Sequence, residues 1–193
     1  MIKYPNGAKK VASKQENKAP VSYASRGMNF EEFINQSNEY YRAIDKALIY
    51  KKPTPIKVVK ASKNEKGNYQ INEAYFAQPS TTDYNGIYRG QYIDFEAKET
   101  SNVNLFSLAN IHPHQLEHLS RVTKHGGIAF ILVYFVKHNE VYLLDSLKLE
   151  NIIKDNAKSI RYETFKKEGI LVPFGYQAPI DYLKVVDRFY FKD

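Results

Sequence analysis

The chain of 193 residues contains no cysteine, and this absence limits its chemistry. Disulfides and thiolate metal sites are excluded, so any metal ion must be bound by oxygen or imidazole ligands, which favours hard cations such as Mg²⁺ or Mn²⁺. Long apolar runs are absent as well: no stretch approaches the roughly 18 residues of a membrane span, and the N-terminus lacks an apolar signal core. We therefore expect a soluble protein that is not secreted.

The positive charge is concentrated in two short segments. The net charge is +7, yet residues 1–26 alone carry +5 and residues 51–66 carry another +5, so the remainder of the chain is acidic. Clustered basic residues are typical of proteins that bind a polyanion such as nucleic acid. The alternative is a solvated tail that only improves solubility.

Residue periodicity predicts a mixed α/β fold with one central β-sheet. Asn29 is expected to cap a first amphipathic helix, with Glu32 as its capping-box partner. Residues 56–69 alternate apolar and basic side chains around a turn at 64–68, which predicts a projecting hairpin. Further strands are expected near 47–50, 73–76, 92–98, 128–136, 141–144 and 170–174, and further helices near 112–124, 147–154 and 180–189. Residues 79–86 are interpreted as a polar turn.

The most informative segment is Asp83–Lys98, because it places three acidic side chains and a lysine on what is predicted to be a turn followed by one strand. In a strand, alternate side chains share a face, so Asp94, Glu96 and Lys98 should point the same way. Asp83 precedes this strand and could share a divalent cation with Glu96 if the two meet at the same level of the sheet. Such a cation would polarise a phosphate, and Lys98 could offset charge in the transition state.

Simpler interpretations of the same residues remain open at this point. Asp83 could cap a turn beside Asn85-Gly86, which is the commonest use of Asp in such a place. Glu96 and Lys98 could form the solvent-facing side of an amphipathic strand, and Asp94 could be no more than that. Asp94 is therefore a secondary candidate.

A separate motif points to a different chemistry. His114-Gln115-Leu116-Glu117-His118 matches the H-x-x-E-H pattern of zinc peptidases on a predicted helix. It requires a third ligand, and nothing in the sequence distinguishes Glu140, Asp145 and Glu150 for that role. A third possibility is a non-catalytic DNA-binding module, supported by the basic segments and by 16 tyrosines able to stack on bases.

Asp83 followed by Glu96-Ala97-Lys98 resembles the PD-(D/E)xK nuclease signature, with Thr82 in the place of the proline. Segments along almost the whole chain are similar to one family within that superfamily, the RecU-type Holliday junction resolvases. These segments are Lys3–Gly7, Ser25–Met28, Lys51–Pro55, Glu73–Phe76, Ser80–Gly86 and Tyr92–Thr100.

The resemblance implies a restriction-endonuclease-like fold and a bacterial, cytoplasmic homodimer. Such a dimer cuts opposing strands of a four-way DNA junction with Mg²⁺, for which Mn²⁺ substitutes. Residues 1–26 would then be a disordered basic arm, and residues 27–193 the nuclease domain, with a stalk at about 53–79 that enters the junction. RecA and the RuvAB branch-migration complex are partners implied by the family alone.

The same resemblance assigns roles to individual residues. Asp83, Glu96 and Lys98 would be catalytic, with Lys98 stabilising the transition state. The metal ligands would be Thr81, Asp83, Glu96 and Gln115, and the DNA-binding residues Arg26, Lys51 and Lys66. Lys66 stands where the family uses arginine near the stalk tip, so a point charge replaces a bidentate group. Glu32 is a further candidate acid on the first helix.

Overall fold

The structure, a computed structural model, describes residues 29–76, 81–154 and 157–191. The helices are α1 (Phe30–Ala43), α2 (Pro113–Lys124), α3 (Ser146–Lys154), α4 (Tyr162–Glu168) and α5 (Tyr182–Tyr190). The strands are β1 (Leu48–Lys51), β2 (Ile56–Lys63), β3 (Tyr69–Phe76), β4 (Tyr84–Tyr88), β5 (Gln91–Thr100), β6 (Leu105–Ser107), β7 (Ile128–Phe135), β8 (Glu140–Asp145), β9 (Ser159–Arg161) and β10 (Ile170–Val172). A 3₁₀ turn spans Leu108–Asn110.

A six-stranded sheet forms the centre of the protein, with strand order β1-β4-β5-β7-β8-β10. Strands β5 and β7 are parallel, and the other neighbouring pairs are antiparallel. A parallel pair needs a crossover connection, and α2 provides it between β5 and β7. The predicted fold class, a central mixed sheet flanked by helices, is confirmed.

Helices cover both faces of this sheet, and β7 shows why. Its Phe130 and Leu132 pack with α1 and α5, whereas Ala129, Ile131 and Val133 pack with α2, α3 and α4. A strand buried on both faces is expected to be almost wholly apolar, as β7 is. On β5, Phe95 faces the α1 and α5 side, where it stacks between Tyr84 and Phe130 with ring centroids 4.9 Å apart in each case.

The first helix begins where the sequence predicts. The Asn29 side chain accepts a hydrogen bond from the Glu32 backbone N–H at 2.9 Å. This satisfies one of the N–H groups that have no partner inside the helix. The predicted cap at Asn29 is therefore confirmed.

Strands β2 and β3 form a separate two-stranded hairpin. Gly67 adopts a φ of 78° in its turn, a conformation that side chains other than hydrogen disfavour. Every residue of both strands is exposed in this chain, including the large apolar side chains of Val59, Tyr69 and Phe76. The predicted hairpin is confirmed, and residues 73–76 belong to β3 rather than to a strand of their own.

The predicted turn at Asn85-Gly86 is wrong. Both residues lie inside β4, and the turn that joins β4 to β5 is Arg89-Gly90, with φ values of 50° and 77°. A Cβ on Gly86 would lie only 2.0 Å from the carbonyl oxygen of Leu48. Glycine is therefore needed at 86 for the close approach of β1, not for a turn.

The predicted arm, residues 1–26, lies outside the described residues. Among the residues that the structure describes, no helix is long and apolar enough to cross a membrane.

Candidate active site

The charged face of β5 lies on the α2 side of the sheet, away from solvent. Asp94 and Glu96 have no exposed side-chain surface, and the Lys98 side chain is one-quarter exposed. A solvent-facing strand is thus the wrong interpretation of these residues. Buried carboxylates are costly unless charge or hydrogen bonds compensate them, so each needs a partner.

Asp83, Glu96 and Lys98 lie together where the beginning of β4 pairs with the middle of β5, at the end of this pair away from the Arg89-Gly90 turn. Asp83 directly precedes β4, and its Oδ2 accepts a hydrogen bond from the Ala97 backbone N–H at 3.2 Å. This bond holds Asp83 against β5 instead of in a turn, and Lys98 forms an ion pair with Glu96. Two carboxylates and one ammonium group therefore share one small site.

Electrostatics at this site leave Glu96 poorly compensated. Burial, and then repulsion from Asp83, raise the pKa of Glu96 to about 7, although Lys98 acts in the opposite direction. Both carboxylate oxygens are buried, and neither accepts a hydrogen bond of regular geometry from the described residues. Such a carboxylate is suited to a divalent cation, which supplies the positive charge that one lysine does not.

The other two predicted metal ligands lie on different segments. Thr81 is exposed, and its Oγ1 accepts a hydrogen bond from Lys52 Nζ at 3.0 Å. Gln115 is buried on α2, and its Oε1 accepts a hydrogen bond from the His112 backbone N–H at 2.8 Å. The structure brings Asp83 and Glu96 together, and it places Gln115 in the first turn of a helix that packs on β5.

The donor set fits a hard cation. Carboxylate, hydroxyl and amide oxygens are the ligands that Mg²⁺ and Mn²⁺ prefer. Within the described ranges, no group of three or more His, Asp or Glu side chains is arranged to hold a metal ion. Asp83 and Glu96 offer two carboxylates to such a cation, and Thr81 and Gln115 stay predicted ligands.

Asp94 is the centre of a hydrogen-bond network that sequence reasoning missed. Its carboxylate accepts from Lys52 Nζ at 2.8 Å and from the Tyr92 hydroxyl at 2.7 Å, and it also accepts from the Thr82 hydroxyl. His118 Nε2 lies 3.1 Å from the same carboxylate. The alternation of β5 gives the face that Asp94 shares with Tyr92, but Lys52, Thr82 and His118 come from other segments of the chain.

The predicted zinc motif on α2 has a different role for at least one of its histidines. His118 contacts Asp94, and the His114 ring stacks on the His112 ring with centroids 5.4 Å apart. Within the described residues, neither Glu140, Asp145 nor Glu150 completes a group of three side chains arranged to hold a metal ion. Glu140, for example, accepts hydrogen bonds from the Tyr142 and Tyr162 hydroxyls instead.

The candidate DNA-binding residues lie apart from one another. Lys51 forms an ion pair with Glu31 of α1, and Lys66 lies in the exposed turn of the β2–β3 hairpin. Glu32 is exposed on the first turn of α1 and, with Lys51, lines a polar cavity between α1 and β1. Arg26 lies outside the described residues.

The metal-free protein should lose stability as the pH rises and Glu96 loses its proton, and replacing Glu96 with Gln should remove this loss. The folded pKa of about 7 exceeds the ordinary value of 4.5, so the folded state holds the extra proton between these values. The free energy of unfolding should therefore fall as pH rises from 4.5 to 7, by about 3 kcal/mol from this group. Urea unfolding in EDTA at pH 5 and pH 8 measures the difference. Equal pH slopes for both proteins would contradict it.

The fold and the site together define a mixed α/β protein whose central sheet carries a partly buried centre of two carboxylates and a lysine. Residues 25–188 match the RecU family model, described as Recombination protein U, and the chain belongs to that family. Among its curated relatives is the Holliday junction resolvase RecU of Oceanobacillus iheyensis, 46% identical and aligned over 98% of this chain and 100% of the relative. The protein of the same name from Bacillus cereus strain AH820 is 44% identical over 98% of both chains.

A solved structure gives a weaker similarity. The Holliday junction resolvase Hjc of Archaeoglobus fulgidus aligns with 68% of this chain and 86% of its own, with a TM-score of 0.41 and 11% identity.

Proposed function

We propose that this protein is a divalent-metal-dependent endonuclease that resolves four-way DNA junctions in homologous recombination and DNA repair. The observation that carries the proposal is the half-buried Asp83 beside the buried Glu96 and Lys98, in a chain 46% identical to a Holliday junction resolvase. A poorly compensated buried carboxylate such as that of Glu96 destabilises the fold, and a role in metal-dependent phosphodiester hydrolysis would explain why it is kept.

Each residue of the site has a distinct task in this reaction. Asp83 and Glu96 would hold Mg²⁺ or Mn²⁺ with Thr81 and Gln115, and the cation when bound would polarise the scissile phosphate. Lys98, one-quarter exposed beside Glu96, can reach both that carboxylate and a phosphate at the edge of the site. Its ammonium group would then offset the negative charge that develops on the phosphate oxygens.

Substrate selection is assigned to the basic segments and to the hairpin. Lys66 in the hairpin turn and Lys51 beside the site would contact DNA phosphates, as would Arg26 of the N-terminal arm. The proposal includes a cytoplasmic homodimer with one active site per subunit, so that two opposing strands are nicked. The exposed apolar side chains of β2 and β3 are consistent with contacts beyond a single chain. RecA and RuvAB stay predicted partners.

Incubation of the protein with a labelled four-way junction and with a linear duplex of the same arm sequence tests the proposal. We expect symmetrical cuts in opposing strands of the junction with Mg²⁺ or Mn²⁺, no cutting in EDTA, and little cutting of the duplex. Tight junction binding without cutting in any divalent metal would instead support the non-catalytic binding module. Equal cutting of both DNAs would contradict selectivity for junctions.

A further inference from the structure

A cavity of about 450 Å³ lies between the start of β5 and the second half of α2. We call it the flanking pocket, and it is lined by Tyr92, His118, Arg121, Val122, His125 and Gly127. Its volume lies within the range of about 300–1,000 Å³ that is usual for small-ligand sites.

Two walls of the flanking pocket are held in place by the buried carboxylate of Asp94. The Tyr92 hydroxyl donates to it at 2.7 Å, and His118 Nε2 lies 3.1 Å from it. Asp94 is completely buried, so these contacts are shielded from water. The Tyr92 ring, whose residue is 41% exposed, is thus fixed by its hydroxyl while part of the side chain stays accessible.

The same carboxylate connects the pocket to the catalytic centre. Asp94 also binds Lys52 and Thr82, and Lys52 Nζ contacts the Thr81 hydroxyl at 3.0 Å. Tyr92 and Glu96 are four residues apart on one face of β5, which corresponds to about 13 Å. A DNA strand bound at Glu96 would therefore bring a nucleotide about two to four positions from the cut to the pocket.

The chemistry of the lining suits a nucleotide. Tyr92 offers an aromatic surface for a base, and the Arg121 guanidinium can donate to phosphate oxygens or to acceptors on a base edge. His118 and His125 add further nitrogen donors. Arg121 is available for such contacts, because its 3.6 Å ion pair with Glu117 is about 70% exposed on both sides and hence weak.

We propose that the flanking pocket binds one nucleotide of the strand being cut, two to four positions from the scissile phosphate. Binding there would set the register of the strand across Asp83 and Glu96. The proposal rests on the proposed junction-cleaving function and adds to it a second, separate contact with the same strand.

A cycle of protein and DNA changes tests this assignment. A series of junctions carries a single abasic nucleotide at each of the first four positions on either side of the cut, and single-turnover cleavage is measured for wild type and Arg121→Ala. An abasic nucleotide at one position should lower the cleavage rate of the wild type by about tenfold, and Arg121→Ala should lower the rate on the intact junction by a similar factor. When both changes are combined, the rate should fall no further than it does with either change alone. Tyr92→Ala should show the same position dependence.

Lys124→Ala is the matched control, because Lys124 lies exposed on the same helix, loses the same charge and does not line the pocket. It should leave the abasic profile unchanged, and thermal melting should show that all variants are folded. The proposal would be overturned if the rate loss caused by Arg121→Ala multiplied with that of an abasic nucleotide at every position. It would also be overturned if Arg121→Ala cut the intact junction as fast as the wild type does. If the wild type cuts no junction, the proposed function is wrong, whether or not the pocket binds a nucleotide. In that case the same variants and abasic junctions are compared by their dissociation constants, which decide whether the pocket binds a nucleotide.

Discussion

Glu96→Gln should reduce junction cleavage by at least about a thousandfold and leave the dissociation constant for the junction within about threefold of wild type. The amide has almost the shape of the carboxylate, so the packing around residue 96 is preserved. It lacks the negative charge that a hard cation requires, and the ligand pair formed with Asp83 is lost. Single-turnover cleavage measures the first effect, and fluorescence anisotropy in Ca²⁺ measures the second.

The same substitution should stabilise the metal-free protein at neutral pH, since the pKa of Glu96 is raised to about 7 by burial and by Asp83. Loss of activity together with a gain of stability distinguishes a functional carboxylate from a structural one. Glu99→Gln is the control: Glu99 is its neighbour on β5 but points to the other face and is exposed. Cleavage by Glu96→Gln at a rate near that of wild type would exclude Glu96 from the metal site.

The main elements of the fold follow from local patterns in the sequence. The cap at Asn29, the apolar run of β7 and the Pro113 start of α2 are short-range signals, and the structure confirms each of them. Helix α4 and strands β6 and β9 are absent from the prediction. They have seven, three and three residues, too short to show a period.

Asn85-Gly86 shows how a strong local signal is overruled by tertiary structure. This dipeptide is typical of a hairpin turn. Here Gly86 pairs with Ile49 on one side and with Ile93 on the other, so the chain continues through the dipeptide as a central strand. The pairing of β4 with β5 ends at Tyr88 and Gln91, so the turn forms at Arg89-Gly90 instead.

For the β5 residues of the candidate site, strand alternation predicted only which side chains share a face. Alternation gives the common face of Asp94, Glu96 and Lys98, but not their depth, which depends on how α2 covers β5. Lys51 and Lys52 are adjacent in sequence and have opposite environments: one pairs with Glu31 near the surface, the other with the buried Asp94. Lys52 and Asp94 are 42 positions apart in the sequence, so no local pattern predicts that they pair.

Lys98→Gln should lower the single-turnover cleavage rate by about a hundredfold or more, with little change in junction affinity. The side chain is one-quarter exposed beside Glu96, where it can meet a phosphate only when DNA is in place. If the positive charge of Lys98 acts mainly on the negative charge that develops in the transition state, its loss lowers the cleavage rate much more than the affinity for DNA. The neutral Gln also removes the ion pair with Glu96, so the pKa of Glu96 should rise further.

Two comparisons separate a role in the transition state from general electrostatic attraction of DNA. Lys137→Gln loses the same charge from an exposed turn between β7 and β8, and it should change the cleavage rate little. Raising the salt concentration should weaken junction binding equally in Lys98→Gln and wild type if Lys98 makes no ground-state phosphate contact. An unchanged rate in Lys98→Gln, or a loss explained entirely by weaker binding, would remove Lys98 from the chemical step and leave it as the counter-charge of Glu96.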